Sequence, residues 1–219
     1  MWRRPSPPMI AATGTSVKLI TNRLKGQPPP APSAPFPSVD AERAGRLMAR
    51  ALPSDMTPLA APDLAPVAAL WVKDERTRMG LGSFKALGAA YVIADHAVQV
   101  HAEPGAETLK GRTYATASAG NHGLSLAMGA RKFGARAVVY IAQTVPEGFA
   151  ARLEAQGAEV RREGADYAAS MAAAERASNE NGWTLLSDSS WDGYSALPWR
   201  LMEGYTHMGY RRGASSRSR

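Results

Sequence analysis

Thr113-Tyr114-Ala115-Thr116-Ala117-Ser118-Ala119-Gly120-Asn121-His122-Gly123 is a β-prone run that empties into a Gly-rich turn and then a helical pattern, and the chain beyond it repeats that grammar. Strands are predicted over Thr113 to Ala117, Ala137 to Ala142, Ala158 to Arg161 and Trp183 to Ser187. They alternate with helices over about 121–133, 146–156, 166–181 and 197–208. Strand followed by helix, four times over, requires right-handed crossovers, so the fold class is α/β: a parallel sheet covered by helices on both faces. Gly134, Gly157 and Gly182 each follow a predicted helix, where a left-handed residue closes the last turn. The turn itself, Ser118 to Gly123, lies between a strand and a helix and offers free backbone N–H groups to a phosphate or carboxylate.

Upstream, Gly82-Ser83-Phe84-Lys85 opens a second apolar pattern. Ser83 is a plausible N-cap for a helix with the stripe Phe84, Leu87, Tyr91, Ala94 and Val98. Lys85 then sits in the first helical turn, where the helix dipole opposes its positive charge and favours the neutral amine that binds an aldehyde. Ser38 can cap a helix over roughly 39–52, with Glu42 and Arg46 one turn apart, and Leu70-Trp71-Val72 reads as a short strand. Residues 26–37 are too rich in proline for helix or sheet interior and read as a linker or arm.

Composition narrows the function classes. The chain has 219 residues, 45% hydrophobic content and no membrane-length apolar run. It has no cysteine, which excludes disulfides and thiolate metal sites and is compatible with a cytoplasmic location. His96, His101, His122 and His207 show no metal-ligand spacing. The formal charge of +7 resides in the ends: Arg3, Arg4, Lys18, Arg23 and Lys25 at one, Arg211, Arg212, Arg217 and Arg219 at the other. Setting these nine aside leaves 17 basic against 19 acidic residues, so the body offers no phosphate-backbone surface and nucleic acid is not an expected partner. The Arg-rich end reads as a disordered tail, with RNA binding as the alternative.

An aldehyde-binding amine joined to an anion-binding loop suggests pyridoxal phosphate chemistry. Over roughly residues 38–208 the chain resembles the fold-type II pyridoxal phosphate enzymes, and within them most closely the diaminopropionate ammonia-lyases, with the threonine dehydratase and threonine synthase group next. The residues that carry the resemblance are Thr57-Pro58-Leu59, Val72-Lys73-Asp74-Glu75, the run Arg78 to Gly88, the Ser118 to Gly123 loop, and Asp188-Ser189-Ser190-Trp191-Asp192-Gly193-Tyr194 with Gly204-Tyr205-Thr206 behind it.

The resemblance implies a set of roles. Lys85 takes the Schiff-base position on pyridoxal 5'-phosphate and moves protons at the substrate Cα. Asn121 contacts the 3'-oxygen of the cofactor ring. The loop Ser118, Ala119, Gly120, Asn121 and His122 holds the substrate carboxylate, with His122 itself structural. Asp188 matches the family's second acidic, catalytic position, while Trp191 and Tyr194 are expected to pack. The family loop typically carries Asp where this chain has Ala119, and that carboxylate is thought to handle the Cα proton of the D-enantiomer, so activity on D-substrates is not expected.

By the same resemblance the phosphate-binding glycine loop and the partner of the pyridine nitrogen belong to a C-terminal half, and no run like Gly-Gly-Gly-x-Gly occurs here. The expected layout is a leader over 1–37, a fragment of the large cofactor domain over 38–82 whose apolar faces lack an obvious partner, a small α/β domain over 83–208 and a basic tail over 209–219. The implied activity is elimination of ammonia or water from a diamino or hydroxy amino acid to give a 2-oxo acid. Two alternatives stay open: a truncated, non-catalytic fragment or half of a split enzyme, and an interaction protein using its basic ends. Expected partners are a small amino-acid substrate and a homodimer mate or complementing C-terminal fragment.

Overall fold

The computed structural model describes residues 39–53, 59–60 and 72–209. The leader, Leu70, Trp71 and the tail beyond residue 209 lie outside the described residues. In chain order the elements are α1 (Ala41–Ala51), β1 (Leu59–Ala60), β2 (Val72–Lys73), α2 (Ala89–Val100), β3 (Thr113–Ala117), α3 (Asn121–Lys132), β4 (Arg136–Ile141), α4 (Glu147–Ala155), β5 (Ala158–Arg162), α5 (Tyr167–Asn181), β6 (Thr184–Leu185) and α6 (Ala196–Tyr205).

The predicted parallel sheet is present: four strands in the order β5-β4-β3-β6, every pairing parallel. Its central strands β3 and β4 read as near-continuous apolar runs because both faces are covered, and Tyr114, Ala115, Val138, Val139 and Tyr140 are buried. On one face the core joins α2, α3 and α4; on the other, Ala173 and Ala174 of α5 meet Ala115, Ala117, Val138 and Tyr140. Gly134, Gly157 and Gly182 all have positive φ (76°, 90° and 65°), as the helix-end reading required.

Several local expectations need correction. β6 covers two residues instead of five. Tyr194 folds back so that its hydroxyl accepts from Ser187 N at 2.9 Å and donates to Leu185 O at 3.0 Å, taking the groups a longer ladder would use. The cap of α1 is Asp40, whose carboxylate accepts from Arg43 N at 2.8 Å. The expected strand at Leu70-Trp71-Val72 is displaced: the strand is Val72–Lys73, antiparallel to Leu59–Ala60. The apolar face of α1 does have a partner, since Ala44, Leu47, Met48 and Ala51 are buried in the core that includes α2 and Leu201 of α6.

The helix predicted from Ser83 is also interrupted. Ser83 caps a 3₁₀ turn over Phe84–Leu87, its Oγ accepting from Lys85 N at 3.1 Å, and α2 starts only after Gly88. Gly88 has ψ −91°, and a Cβ there would lie 2.6 Å from the Tyr205 hydroxyl. The break is where α6 presses an aromatic ring against the chain. A second glycine, Gly204, completes the approach, because a Cβ on it would meet Leu87 O at 2.1 Å.

A buried polar knot locks α6 in that position. The Glu203 carboxylate, 1% exposed, accepts from Arg43, from the Tyr91 hydroxyl, from Arg200 at 2.7 Å and from Asp40 N at 3.1 Å. Arg43 also pairs with Asp95 of α2. Burial alone would push the Glu203 carboxyl up, but its four donors hold it below its ordinary value. One carboxylate thus ties together α1, α2 and α6.

Candidate active site

In a parallel sheet the carboxyl ends of adjacent strands open onto one edge, where ligands bind in open α/β folds. The Ser118 loop leaves β3 and Asp188 follows β6, and these two strands are neighbours. The structure therefore brings two of the sequence-selected segments to one edge. Lys85 joins them from the 3₁₀ turn: its Nζ donates to Asp188 Oδ2 at 2.7 Å, with the two side chains 30% and 28% exposed.

That pair reverses one expectation. Lys85 is not on an α-helical first turn, so no long dipole opposes its charge. Burial lowers its pKa, but the Asp188 hydrogen bond and the neighbouring Tyr205 and Asp188 more than compensate, and the amine is held above its ordinary value of 10.5. At rest it is an ammonium. Asp188 responds in the complementary direction: burial raises it, yet His122 and the Lys85 ammonium bring it below the usual carboxylate range.

The loop after β3 is shaped by close contact. A Cβ on Gly123 would fall 2.3 Å from Ser118 O, so the loop closes directly over the first turn of α3 only because residue 123 has no side chain. Ser118 Oγ accepts from Gly120 N at 3.3 Å. Asn121 is the first residue of α3 and is exposed, while Ala119 is half-buried against the core. His122 turns inward: it is 3% exposed, with Nε2 2.8 Å from Leu186 O. Since a carbonyl only accepts, Nε2 carries the proton, and the buried Nδ1 has no partner among the described residues. Burial holds the His122 pKa below its ordinary value, and its ring donates to the backbone at the carboxyl end of β6.

Sequence reasoning used Tyr205 only as part of the resemblance and gave it no role in the site. Its ring packs edge-on to Phe84 with centroids 5.1 Å apart, and Lys85 Nζ lies 5.6 Å from its centroid. A cleft of about 150 Å³ opens beside it, lined by Asp188, Ser190, Trp199, Met202 and Tyr205 among others. The signal was present in Gly88, which makes room for the ring, and in Gly204, which lets the backbone of α6 close on Leu87 and Tyr91. A larger cleft of about 620 Å³, lined by Leu52, Thr77, Met79, Met128 and Lys132 among others, includes none of the selected site residues among its described lining. Among the described residues no cluster of His, Asp and Glu is placed to hold a metal ion, and no helix is long and apolar enough to cross a membrane.

Comparison with known proteins agrees with this fold. Residues 52–211 match the family described as pyridoxal-phosphate dependent enzyme. Diaminopropionate ammonia-lyase of Escherichia coli (strain K12) is 34% identical over 167 residues, covering 68% of this chain and 41% of that protein. Its Salmonella typhimurium counterpart is 31% identical over 147 residues, covering 61% of this chain and 36% of its own length. The chain thus spans about two-fifths of the curated relatives it matches. The holo crystal structure of the E. coli enzyme superimposes with a TM-score of 0.73 at 29% identity, covering 81% of this chain and 49% of that one. A threonine deaminase from Solanum lycopersicum, at 18% identity and a TM-score of 0.58, shares the fold.

Proposed function

We propose, from the premise that the chain belongs to the pyridoxal-phosphate dependent enzyme family, that it supplies the lysine, the anion-binding loop and a carboxylate of a lyase site. That site eliminates ammonia or water from a small diamino or hydroxy amino acid to give a 2-oxo acid. The observation that carries the reading is the Lys85–Asp188 pair at the carboxyl edge of the sheet, on the same edge as the loop that opens α3.

The residues present fit pyridoxal 5'-phosphate. Lys85 is a partly exposed amine that a carbonyl can reach, and the glycine at 123 keeps the loop tight so that the N-terminal N–H groups of α3 face the same edge. When bound, the cofactor supplies an electron sink for the charge left at the substrate Cα. Lys85 is the residue that would hold the cofactor through its aldehyde and give way to the substrate amine. To take the Cα proton Lys85 would first have to lose its ammonium proton to solvent, and it could then pass the proton taken from Cα to the departing amine or hydroxide. Asp188 stays ionised and keeps that amine near the edge. Ser118 and the N–H groups of the loop hold the substrate carboxylate, and Asn121 takes the ring 3'-oxygen. With Ala at 119 the loop has no carboxylate to work on the opposite face, which favours L-substrates.

We further propose that the working protein includes the family's C-terminal half, joined or as a separate chain, with a homodimer as the alternative assembly. The test is release of ammonia and 2-oxo acid from L-diaminopropionate and L-serine by the chain with that half supplied in trans, alongside Lys85→Ala and Asp188→Asn. Turnover lost in Lys85→Ala is expected. Turnover that survives it, or none at all from the native pair, contradicts the lyase reading.

A further inference from the structure

We infer that Tyr205 is a positioning residue for Lys85: its ring is the floor on which the amine rests, and its buried hydroxyl is the second resting place of Nζ whenever Nζ leaves Asp188. The inference rests on the reading of Lys85 as the reactive amine, but it is drawn from different contacts.

The placement of Tyr205 is built into the packing. Gly88 yields the volume its hydroxyl and ring edge occupy, since a Cβ there would come within 2.6 Å of the hydroxyl and 2.8 Å of Cε1. Gly204 lets the α6 backbone close onto Leu87 O. One residue earlier, Glu203 is anchored by four donors from α1 and its cap, from α2 and from its own helix, so α6 can neither slide nor rotate freely. The side chain that this apparatus delivers carries a buried hydroxyl with no well-formed hydrogen bond among the described residues, only the weak approach of Lys85. Left orphaned inside a protein, such a hydroxyl is destabilising, which calls for an occupant.

Lys85 is the group beside it. Nζ sits 5.6 Å from the Tyr205 centroid and 5.9 Å from that of Phe84, and these two rings brace each other edge to face. An ammonium over aromatic faces keeps part of its stabilisation after it has left a carboxylate. The charged and titratable groups around Nζ are Asp188 from the segment after β6, His122 from α3, Tyr167 from α5 and Tyr205 from α6. Of these Asp188 holds it by a well-formed hydrogen bond, and the Tyr205 hydroxyl engages it more weakly. The Tyr205 hydroxyl is near enough to interact with Lys85, which raises the amine while Lys85 lowers the phenol. A lysine that must alternate between holding and releasing a proton is served by one strong partner and one weak one, and the second is Tyr205.

The experiment is competitive acetylation of the 219-residue chain across pH 7 to 11, with Lys85, Lys110 and Lys132 quantified separately by peptide mass spectrometry. Tyr205→Phe keeps the floor and removes the hydroxyl; Tyr205→Leu removes both. Each is made in the native and in the Asp188→Asn background. The expected result is that Lys85 becomes about threefold more reactive at a given pH below 10 in Tyr205→Phe when Asp188 is also Asn, less so when Asp188 is intact, and more so in Tyr205→Leu. Lys110 and Lys132 serve as internal references and do not change. A purely structural Tyr205 would alter thermal stability and leave the Lys85 profile where it was. An unchanged profile in both backgrounds overturns the inference. Pyridoxal phosphate labelling of the native chain separates the two claims: failure there sinks the cofactor reading and leaves the acetylation result standing.

Discussion

Replacing Glu203 by Ala should be among the most damaging single substitutions outside the site itself. The substitution strips an almost fully buried carboxylate from Arg43, Arg200, the Tyr91 hydroxyl and Asp40 N. Removing one member of a buried ionic network typically destabilises by about 3–5 kcal/mol, because the partners keep their charge and lose their counterion. Here the arginines are 33% and 39% exposed and can partly rehydrate, so the lower end, about 3 kcal/mol, applies. For a domain of this size that corresponds to a fall in Tm of roughly 6–12 °C. Glu203→Gln keeps the shape and an acceptor and should lose about half as much. Urea and thermal unfolding of the two variants at pH 7 measure both numbers. The network also sets a pH dependence. Its folded pKa is depressed, so its contribution is complete above the ordinary value of 4.5 and drains away as pH falls through the folded value. Loss of less than about 1 kcal/mol in Glu203→Ala, a value within the range of exposed pairs, would refute the claim that this carboxylate locks α6.

Gly123→Ala should destabilise by about 1–3 kcal/mol in urea unfolding and loosen the loop, since its Cβ would strike Ser118 O at 2.3 Å, a backbone atom that cannot swing aside. Gly204→Ala should be at least as severe by the same assay, the obstacle being Leu87 O at 2.1 Å. His122, buried and held below its ordinary pKa of 6.5, is protonated first in the unfolded chain. Stability should therefore decline below pH 6.5, by up to about 1.4 kcal/mol per pH unit, and His122→Gln should reduce the slope of the urea midpoint between about pH 5 and 6.5, where His96 adds a slope of the same sign.

What the sequence revealed and what it hid follow the range of the interactions concerned. The parallel sheet was legible because β3 and β4 are short buried runs punctuated by glycines, signals carried within a few residues of one another. Lys85 and the Ser118 loop were legible as local motifs. Their meeting with Asp188 was not: the Lys85–Asp188 bond joins residues 103 apart, and no pattern along the chain encodes it. That same contact reversed the expected protonation of Lys85, since a carboxylate at 2.7 Å outweighs a dipole that the broken helix does not supply. The strand ending at Ser187 was overextended because Tyr194, nine residues beyond Leu185, takes over its hydrogen bonds through a side chain. Tyr205 and the Glu203 knot were hidden for a related reason: both depend on helices separated by more than a hundred residues.

The central claim is that Lys85 is the amine that receives the cofactor aldehyde. Incubation of the full chain with pyridoxal phosphate, reduction with borohydride and quantitative peptide mapping test it directly, because reduction traps the adduct whatever the affinity. The account predicts that Lys85 carries most of the label among the six lysines, and that inorganic phosphate at matching concentration reduces it less than pyridoxal does. Label spread evenly over Lys73, Lys85, Lys110 and Lys132 would contradict the account, because Lys85 would then be one more exposed amine on the surface of the fold.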